Sequence, residues 1–243
     1  YVPDQGSIFI EGQEVVFNAP SDSIAAGIGM VHQHFKLIEV MTAEENVILG
    51  QKGGVFYKKK GTTEKIQAIA DKYQLDVDLN KRVSEMSVGE KQNLEILKVL
   101  YRGARILILD EPTAVLTPQE TVKLFHIMRK MKDDGCAVIF ISHKMNEVME
   151  NTDRVTVLRK GETIATLTTA QTNPQQLTEL MVGRAVDLSV ERVIQPVGQR
   201  LIEVRHLQVT APDGSLALKD VSFELHGGEI LSVAGIASSG QKE

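Results

Sequence analysis

The chain has 243 residues, of which 42% are hydrophobic and 24% are charged, as is ordinary for a globular protein with an ample core. The formal net charge of -5 argues against a general nucleic-acid binder, because binding phosphates without sequence preference needs clustered Lys and Arg. No apolar run reaches the roughly 18 to 20 residues of a membrane span, and no signal-peptide pattern is recognisable, which favours a soluble or peripheral protein. The single cysteine, Cys136, excludes a disulfide framework and is expected to be a small buried hydrophobe.

The first half of the chain contains two predicted helices. Residues 62–75 form one, after a loop rich in Gly and Lys from Gly50 to Gly61, and residues 87–103 form the other.

The second of these helices opens with a distinctive pattern, MSVGEKQ. Ser87 and Glu90 are three residues apart and predict a capping box, which in most proteins has a purely structural role. Gly89 in the first turn adds a second possibility, because it lets a ligand approach N–H groups at the positive end of the helix dipole. A phosphate group suits such a position.

A strand, a helix and a second strand follow. Residues 105–110 and 136–142 are continuous apolar runs, typical of strands buried on both faces of a parallel sheet. The helix between them is predicted to begin at the Thr117 cap, with Glu120 closing a capping box, and to end at Gly135. The connection predicts a parallel βαβ unit. Its helix spacing predicts one buried face, formed by Val122, Phe125, Met128 and Met131.

The next elements are a hairpin and a short helix. Residues 153–167 predict two strands that turn at Lys160 and Gly161. The helix that follows is predicted to be capped by Asn173 and to end at Gly183.

Beyond a stretch with linker character, residues 191–200, the pattern returns to strands. These are predicted at residues 201–209, 218–225 and 229–235, with a turn at residues 211–215 between the first two. The chain then stops where a helix is expected to begin, so we expect it to be a fragment.

Polar residues follow the apolar strands at the sheet edge where parallel sheets bind ligands. Asp110 can hold Mg²⁺, and Glu111, projecting to the other side, can polarise an attacking water. Gln33 offers an amide that can contact a metal or water, and His143 can donate to a phosphate. Taken singly, each residue also fits a solvated acid, a loop Gln or a structural His.

The order of these motifs resembles the nucleotide-binding domain of ABC transporters over nearly the whole chain. By this resemblance Gln33 matches the Q-loop glutamine, Asp110 the Walker B aspartate, Glu111 the catalytic glutamate and His143 the switch histidine. The signature motif is matched by residues 86–90, including Ser87, Val88, Gly89 and Glu90. In that family two domains close head to tail on ATP, and the signature helix of one faces the γ-phosphate held by the other.

The resemblance is closest to the tandem ATPase subunits of importers for simple sugars and nucleosides, most of all the nucleoside branch that works with a basic-membrane-protein-type lipoprotein. It implies a first domain at residues 1–190, with an α/β P-loop fold, an antiparallel β subdomain and a helical subdomain at about 42–100, lacking its own phosphate loop. Residues 191–199 would be a linker, and 200–243 the opening strands of a second domain.

Several positions depart from the family pattern. Val88 and Glu90 stand where Gly and Gln are usual in the signature, and Thr117 replaces the usual Asp after the Walker B strand. The second phosphate loop keeps Gly235 and Gly240, with Gln241 in place of the Lys. Its candidate nucleotide-binding residues are Gly235, Ser238, Ser239, Gly240, Gln241 and Lys242. No aromatic residue for adenine stacking lies between Arg205 and Ser222. The second site is therefore expected to bind nucleotide weakly, or the segment is a plain strand-to-helix turn.

The implied function is an ATPase subunit at the cytoplasmic face of the membrane that binds MgATP and drives import through two membrane permease subunits. The implied metal ligands are Asp110 and, through the nucleotide, Gln33. Indirect contact with a binding lipoprotein and pairing with a second ABC domain, in the same full-length chain or in a second copy, are also implied, and no nucleic acid is expected.

Four alternatives remain at this point. A tandem ABC protein acting on ribosomes usually has a long charged linker, and a DNA-repair ATPase usually has a coiled coil or zinc module before the signature; the sequence shows neither. The third alternative is an inactive fragment, and the fourth is that residues 200–243 fold back on the sheet of the first domain.

Overall fold

The computed structural model describes residues 3–50, 59–184, 196–211 and 214–235, together with Gly240. The chain divides into two compact units, Tyr1–Val186 and Asp187–Glu243. The predicted loop from Gly50 to Gly61 falls largely outside the described residues, and so do most of residues 191–199 and of the second phosphate loop.

The helices lie in the first unit and run in chain order as α1 to α7. They are α1 (Pro20–Ala25), α2 (Ala43–Ile48), α3 (Lys59–Tyr73), α4 (Val88–Tyr101), α5 (Pro118–Asp133), α6 (Met145–Asn151) and α7 (Pro174–Val182). Short 3₁₀ turns occupy Val83–Glu85 and Thr169–Gln171. In the part of the chain that the structure describes, no helix is long and apolar enough to cross a membrane.

Within the described ranges the strands form four separate sheets. They are β1 (Ile8–Ile10), β2 (Gln13–Val15), β3 (Ile28–Val31), β4 (Ile106–Asp110), β5 (Ala137–Ile141), β6 (Arg154–Arg159), β7 (Glu162–Thr168), β8 (Arg200–Thr210) and β9 (Leu216–His226). Strands β3, β4 and β5 form a parallel sheet, whereas β1 with β2, β6 with β7 and β8 with β9 are antiparallel hairpins. The expected α/β fold with a parallel core sheet is confirmed.

Helices α4 and α5 pack against one face of the parallel sheet. Val31, Leu109 and Phe140 are neighbours in the register, and the first two are 1% and 0% exposed. At Gly29 a Cβ would lie 1.9 Å from Val99 Cγ1, so only a glycine lets α4 approach β3 so closely. The core below the sheet comes from α4 and α5, whose buried residues include Leu94, Ile96, Leu97, Leu124, Phe125, Ile127, Met128 and Met131.

The opposite face of the sheet has apolar side chains that remain accessible. Met30 is 39% exposed, Ile139 53% and Ile141 50%, and the prediction that residues 136–142 are buried on both faces is therefore wrong for the second face. None of the described residues covers these side chains, and a strand is buried on both faces only where two layers pack against its sheet.

The buried face of α5 also differs from the prediction at one position. Val122 is 66% exposed, whereas Phe125, Met128 and Met131 are buried as expected. Leu124 lies at the centre of the buried face, and Val122 is about 200° away from it around a helix of ~3.6 residues per turn. The apolar spacing of three residues therefore continues for one turn beyond the buried face, towards the N-terminus of the helix.

Local signals fixed the other boundaries. Thr117 and Asn173 cap α5 and α7 as predicted, and Gly183 ends α7 with φ of 84°. Lys160 and Gly161, with φ of 51° and 83°, form the predicted turn of the β6–β7 hairpin, where two positive φ values match a type I′ turn. Helix α3 begins three residues before the predicted start.

Cys136 is half-buried against the core, and burial raises the pKa of its thiol.

In the second unit the first two predicted strands are present as β8 and β9. The third, at residues 229–235, is not a strand; Ile230 is 97% exposed and Val233 74%. The sequence of this segment is that of a buried strand, but the described residues provide no partner strand for its backbone, and an unpaired apolar segment cannot form a sheet by itself.

The N-terminal turn of α4 meets that of α5. The expected capping box is present, since Glu90 N donates to Ser87 Oγ at 3.2 Å and Ser87 N donates to Glu90 Oε2 at 2.7 Å. A Cβ on Gly89 would lie 2.3 Å from Glu120 Oε1. Because Glu120 also accepts from Thr117 N at 2.8 Å, it belongs to the cap of α5 and cannot move without loosening that cap.

This contact predicts a background-dependent effect of Gly89→Ala. An alanine in a helix is ordinarily more stable than a glycine by about 0.5–1 kcal/mol. We expect this gain in a Glu120→Ala background, where the space is free. In the unaltered chain we expect no gain or a loss, because Glu120 must move away.

Urea unfolding of the four variants of this cycle measures both differences. An equal gain from Gly89→Ala in the two backgrounds would show that Glu120 does not constrain this position.

Candidate functional site

Three of the predicted site residues follow three neighbouring parallel strands. Gln33 lies two residues after β3, Glu111 directly follows β4, and His143 lies two residues after β5. Parallel strands end at the same edge of a sheet, so their following loops meet there.

The structure brings these three side chains into direct contact. Gln33 Nε2 donates to Glu111 Oε2 at 3.2 Å, and His143 Nδ1 lies 3.1 Å from Glu111 Oε1. The side chain of Glu111 is 31% exposed and that of His143 is 67% exposed. Each carboxylate oxygen therefore has one protein partner and still has free lone pairs for a water or a substrate.

The backbone at Glu111 holds an uncommon conformation. Its φ is 44°, in the left-handed region that non-glycine residues rarely adopt, and its N–H donates to Ile141 O at 3.0 Å. This bond prolongs the β4–β5 pairing by one residue beyond the strand. A strained residue that the surrounding structure holds in place is a frequent feature of functional sites.

Asp110 lies on the other side of the same strand end. It pairs with Ile141 in the register, and the alternation along β4 places it on the face opposite the buried Leu109. Its carboxylate has no hydrogen-bond or ion-pair partner among the residues that the structure describes. Asp110 and Glu111 are therefore suited to different roles, as the sequence predicts.

A polar cluster beneath the site connects the loops that follow β4 and β5. Glu147 Oε2 accepts from Thr113 Oγ1 at 2.7 Å and from Ser142 Oγ at 3.3 Å. Lys144 Nζ lies 3.1 Å from Glu147 Oε1 and donates to Thr113 O at 3.0 Å. Thr113 is 2% exposed. The cluster fixes the loop of Glu111 against the next one. Sequence analysis missed it, although Lys144 and Glu147 have the spacing of a helical pair.

The signature residues form a second group at the tip of α4. Ser87 and Val88 are exposed, so the tip lies at the surface, and the N–H groups of Val88 and Gly89 have no acceptor among the described residues. Glu90 Oε1 lies 2.8 Å from Lys81 Nζ, and this ammonium group lowers the pKa of the carboxyl below its ordinary value of 4.5. Glu90 is therefore a charged structural residue, engaged with its own cap and Lys81.

The two groups do not contact each other within one chain. The hydrogen bonds of Ser87 and Glu90 stay within the tip and with Lys81, and none involves Glu111.

The second predicted phosphate loop is described only in part. Gly235 and Gly240 are described, and Gly240 has φ of 95° with Leu218 Cδ2 2.7 Å from the position of a Cβ. Four predicted residues of this loop lie outside the described part of the chain: Ser238, Ser239, Gln241 and Lys242.

A groove of about 310 Å³ lies between the loop of Gln33 and α4. The groove is lined by the polar residues Gln33 and Lys91, the first of which belongs to the candidate site. Its apolar lining comes from the half-buried Phe35 and the exposed Val88 and Val115.

Comparison with known proteins identifies the family of the chain. The ABC transporter family model matches residues 1–114. The chain is 40% identical over 243 residues to the nucleoside import ATP-binding protein NupA of Lactococcus lactis subsp. cremoris, covering 99% of this chain and 48% of that protein. It is 39% identical to the glucose import ATP-binding protein TsgD13 of Haloferax volcanii, covering 100% of this chain and 50% of that protein. The chain thus spans about half the length of these relatives.

The fold has solved counterparts. One is the dimeric structure of the ATP-binding cassette MJ0796 in a post-hydrolysis state bound to ADP and Pi, with a TM-score of 0.58 and 22% identity over 69% of this chain and 75% of that chain. This likeness supports the α/β nucleotide-binding fold. The family model and the sequence relatives show that the chain belongs to the ABC transporter ATP-binding proteins, among relatives named for nucleoside and sugar import.

Proposed function

We propose that this chain is part of the ATP-hydrolysing subunit of an importer for nucleosides or simple sugars. The single observation that carries the proposal is the contact of Gln33, Glu111 and His143 at the carboxyl edge of the parallel sheet. Relatives named as nucleoside and glucose import proteins support the class of transported solute.

In the proposed reaction a water attacks the γ-phosphate of ATP in line with the leaving group. Glu111 is the base that orients this water and accepts its proton, because its carboxylate is partly exposed and its protein partners leave lone pairs free. Gln33 and His143 hold the carboxylate from its two sides. His143 donates to the phosphate after it turns away from Glu111.

The oxygen donors at the strand end fit a magnesium ion. Mg²⁺ takes one or two carboxylate or amide oxygens and keeps water and phosphate oxygens for its other positions. The Asp110 carboxylate has no partner among the described residues, and Gln33, whose Nε2 donates to the adjacent Glu111, also carries an amide oxygen. No cluster of three or more His, Cys, Asp or Glu occurs in the described ranges. The ion would neutralise charge on the phosphates.

The tip of α4 would act on a nucleotide bound by another module. Ser87 and the unpaired N–H groups of Val88 and Gly89 present the positive end of a 14-residue helix to the surface. The partner is a second ABC domain, in the full-length chain or in another copy. Because both groups must meet at one triphosphate, we expect a single 243-residue chain without such a partner to be inactive.

We further propose that the groove between the loop of Gln33 and α4 receives a helix of a permease subunit. Apolar grooves of this kind accept the apolar face of an amphipathic helix. Two permeases with a binding lipoprotein would complete the importer, which places the subunit at the cytoplasmic face of the membrane. Residues 200–243 would begin the second domain, with a weakly binding nucleotide site.

The catalytic role of Glu111 is tested by Glu111→Gln in the full-length subunit assembled with its permeases. We expect ATP to bind as before and turnover to fall by ~10² or more, since the amide cannot accept the proton. The matched control is Glu150→Gln on α6, which removes an exposed carboxylate outside the site. Steady-state ATP hydrolysis and nucleotide binding are measured for both. Equal turnover in the two variants would remove Glu111 from its role.

The docking proposal is tested by two exposed valines. Val115 lines the groove and is 62% exposed, and Val122 lies on α5 outside it and is 66% exposed. We expect Val115→Asp to weaken co-purification of the permeases by about tenfold or more, because a carboxylate would be buried without a partner. Val122→Asp should have no effect. The same loss from both substitutions would count against the groove as the docking site.

A further inference from the structure

Helix α4 carries two charged side chains in the protein core. Glu95 is 2% exposed and Lys98 is 8% exposed, and Lys98 Nζ lies 2.6 Å from Glu95 Oε2. Taking two charges out of water is costly, and mutual attraction offsets that cost only when further hydrogen bonds satisfy the remaining atoms. The other partners of this pair therefore indicate what it does.

Both charged groups bind the backbone of the same residue. Lys36 N donates to Glu95 Oε1 at 2.6 Å, and Lys98 Nζ donates to Lys36 O at 3.0 Å. These are charge-assisted hydrogen bonds, which are shorter and stronger than those between neutral groups. Lys36 lies three residues after Gln33, in the segment that leads from β3 to α2.

A third buried side chain continues the attachment. Asn46 of α2 is 2% exposed; its Oδ1 accepts from Ile38 N at 2.7 Å and its Nδ2 donates to Ile38 O at 3.1 Å. The segment of residues 36–38, which we call the clamped segment, is thus held by buried side chains of two helices.

The same helix also forms the signature tip. Glu95 lies eight residues after the Ser87 cap, about 12 Å along a helix with a rise of ~1.5 Å per residue. A helix transmits a displacement of one end to the other as a rigid body. A shift of the tip along the axis of α4 would move Glu95 and Lys98 and, through their bonds to Lys36, the clamped segment.

We propose that Glu95 and Lys98 are positioning residues that couple the signature tip of α4 to Gln33. Engagement of the tip by a nucleotide would displace α4, and the clamped segment would carry Gln33 into or out of contact with Glu111. The inference rests on the proposed function for its role in turnover, but the clamp itself is a contact that can be tested separately.

Hydrogen bonding to the Lys36 backbone explains why charged side chains, and not apolar ones, occupy these two core positions. An apolar pair of similar volume would pack equally well in the core, but it would leave Lys36 N and Lys36 O without partners. The proposed coupling thus depends on hydrogen bonds between α4 and the clamped segment, and the experiments below test whether the two ends respond together.

The first experiment measures hydrogen exchange in the full-length subunit assembled with its permeases. In Glu95→Gln, we expect the amides of the clamped segment to exchange at least about tenfold faster, since charge-assisted bonds are replaced by weaker ones. Because a lone buried Lys98 could prevent folding, the double variant Glu95→Gln with Lys98→Met is measured as well. Ile96→Val, a core change on the same helix that does not touch Lys36, is the control for lost stability.

The second experiment is a double-mutant cycle on ATP hydrolysis with Gln33→Ala. If Glu95 acts through Gln33, the Glu95 substitution should lower kcat by about tenfold with KM for ATP nearly unchanged, and should have less than about twofold further effect when Gln33 is already alanine. A general loss of structure would instead lower activity by the same factor in both backgrounds.

The outcomes separate this inference from the proposed function. Unchanged exchange of the clamped segment in a folded Glu95 variant overturns the clamp, and equal effects in both Gln33 backgrounds overturn the coupling. Absence of ATP hydrolysis in the unaltered, fully assembled subunit overturns the proposed function, and with it the coupling role, whatever the exchange data show for the clamp.

Discussion

The parallel register of three strands is the constraint on which the rest of this structure depends. Val31, Leu109 and Phe140 are side by side, and so the loops that follow β3, β4 and β5 leave the sheet at one edge. Chain segments that are 78 and 32 residues apart in sequence are thereby close enough for Gln33 and His143 to bind the two oxygens of Glu111. A one-residue slip of β4 would turn Leu109 away from the core and remove the site at the same time.

The two faces of this sheet have different roles. The face with Leu109 is closed by α4 and α5, and this packing fixes the strands. The other face carries Asp110 beside the accessible Ile139 and Ile141. Since Asp110 is proposed to act on a magnesium nucleotide, an accessible face at this position is compatible with its function.

Local chemistry made much of the fold predictable. The caps at Ser87, Thr117 and Asn173 depend on residues three positions apart, so they can be predicted without knowing the tertiary contacts of the helix. The apolar runs of β4 and β5 likewise identified the sheet edge with Asp110, Glu111 and His143. Gln33 was assigned to the site only through the family resemblance, because strand β3 before it was not predicted.

The features that escaped prediction depend on distant partners. Residues 229–235 read as a strand because of composition, but a strand exists only with a neighbour, and the described residues supply none. Val122 continues the apolar spacing of α5 but lies outside its contact with the sheet. Glu95 and Lys98 read as ordinary helix charges, and their role depends on Lys36, some 60 residues earlier in the chain.

The central claim is that the α4 tip of one module and the Asp110–Glu111 strand end of another enclose one triphosphate. The most direct test is a structure of the full-length subunit, assembled with its permeases and bound to a non-hydrolysable ATP analogue with Mg²⁺. Our account predicts that Ser87 and the N–H groups beside it contact a γ-phosphate whose other side faces Glu111 of the opposing module. A closed, nucleotide-bound complex in which the tip contacts only its own chain would contradict it.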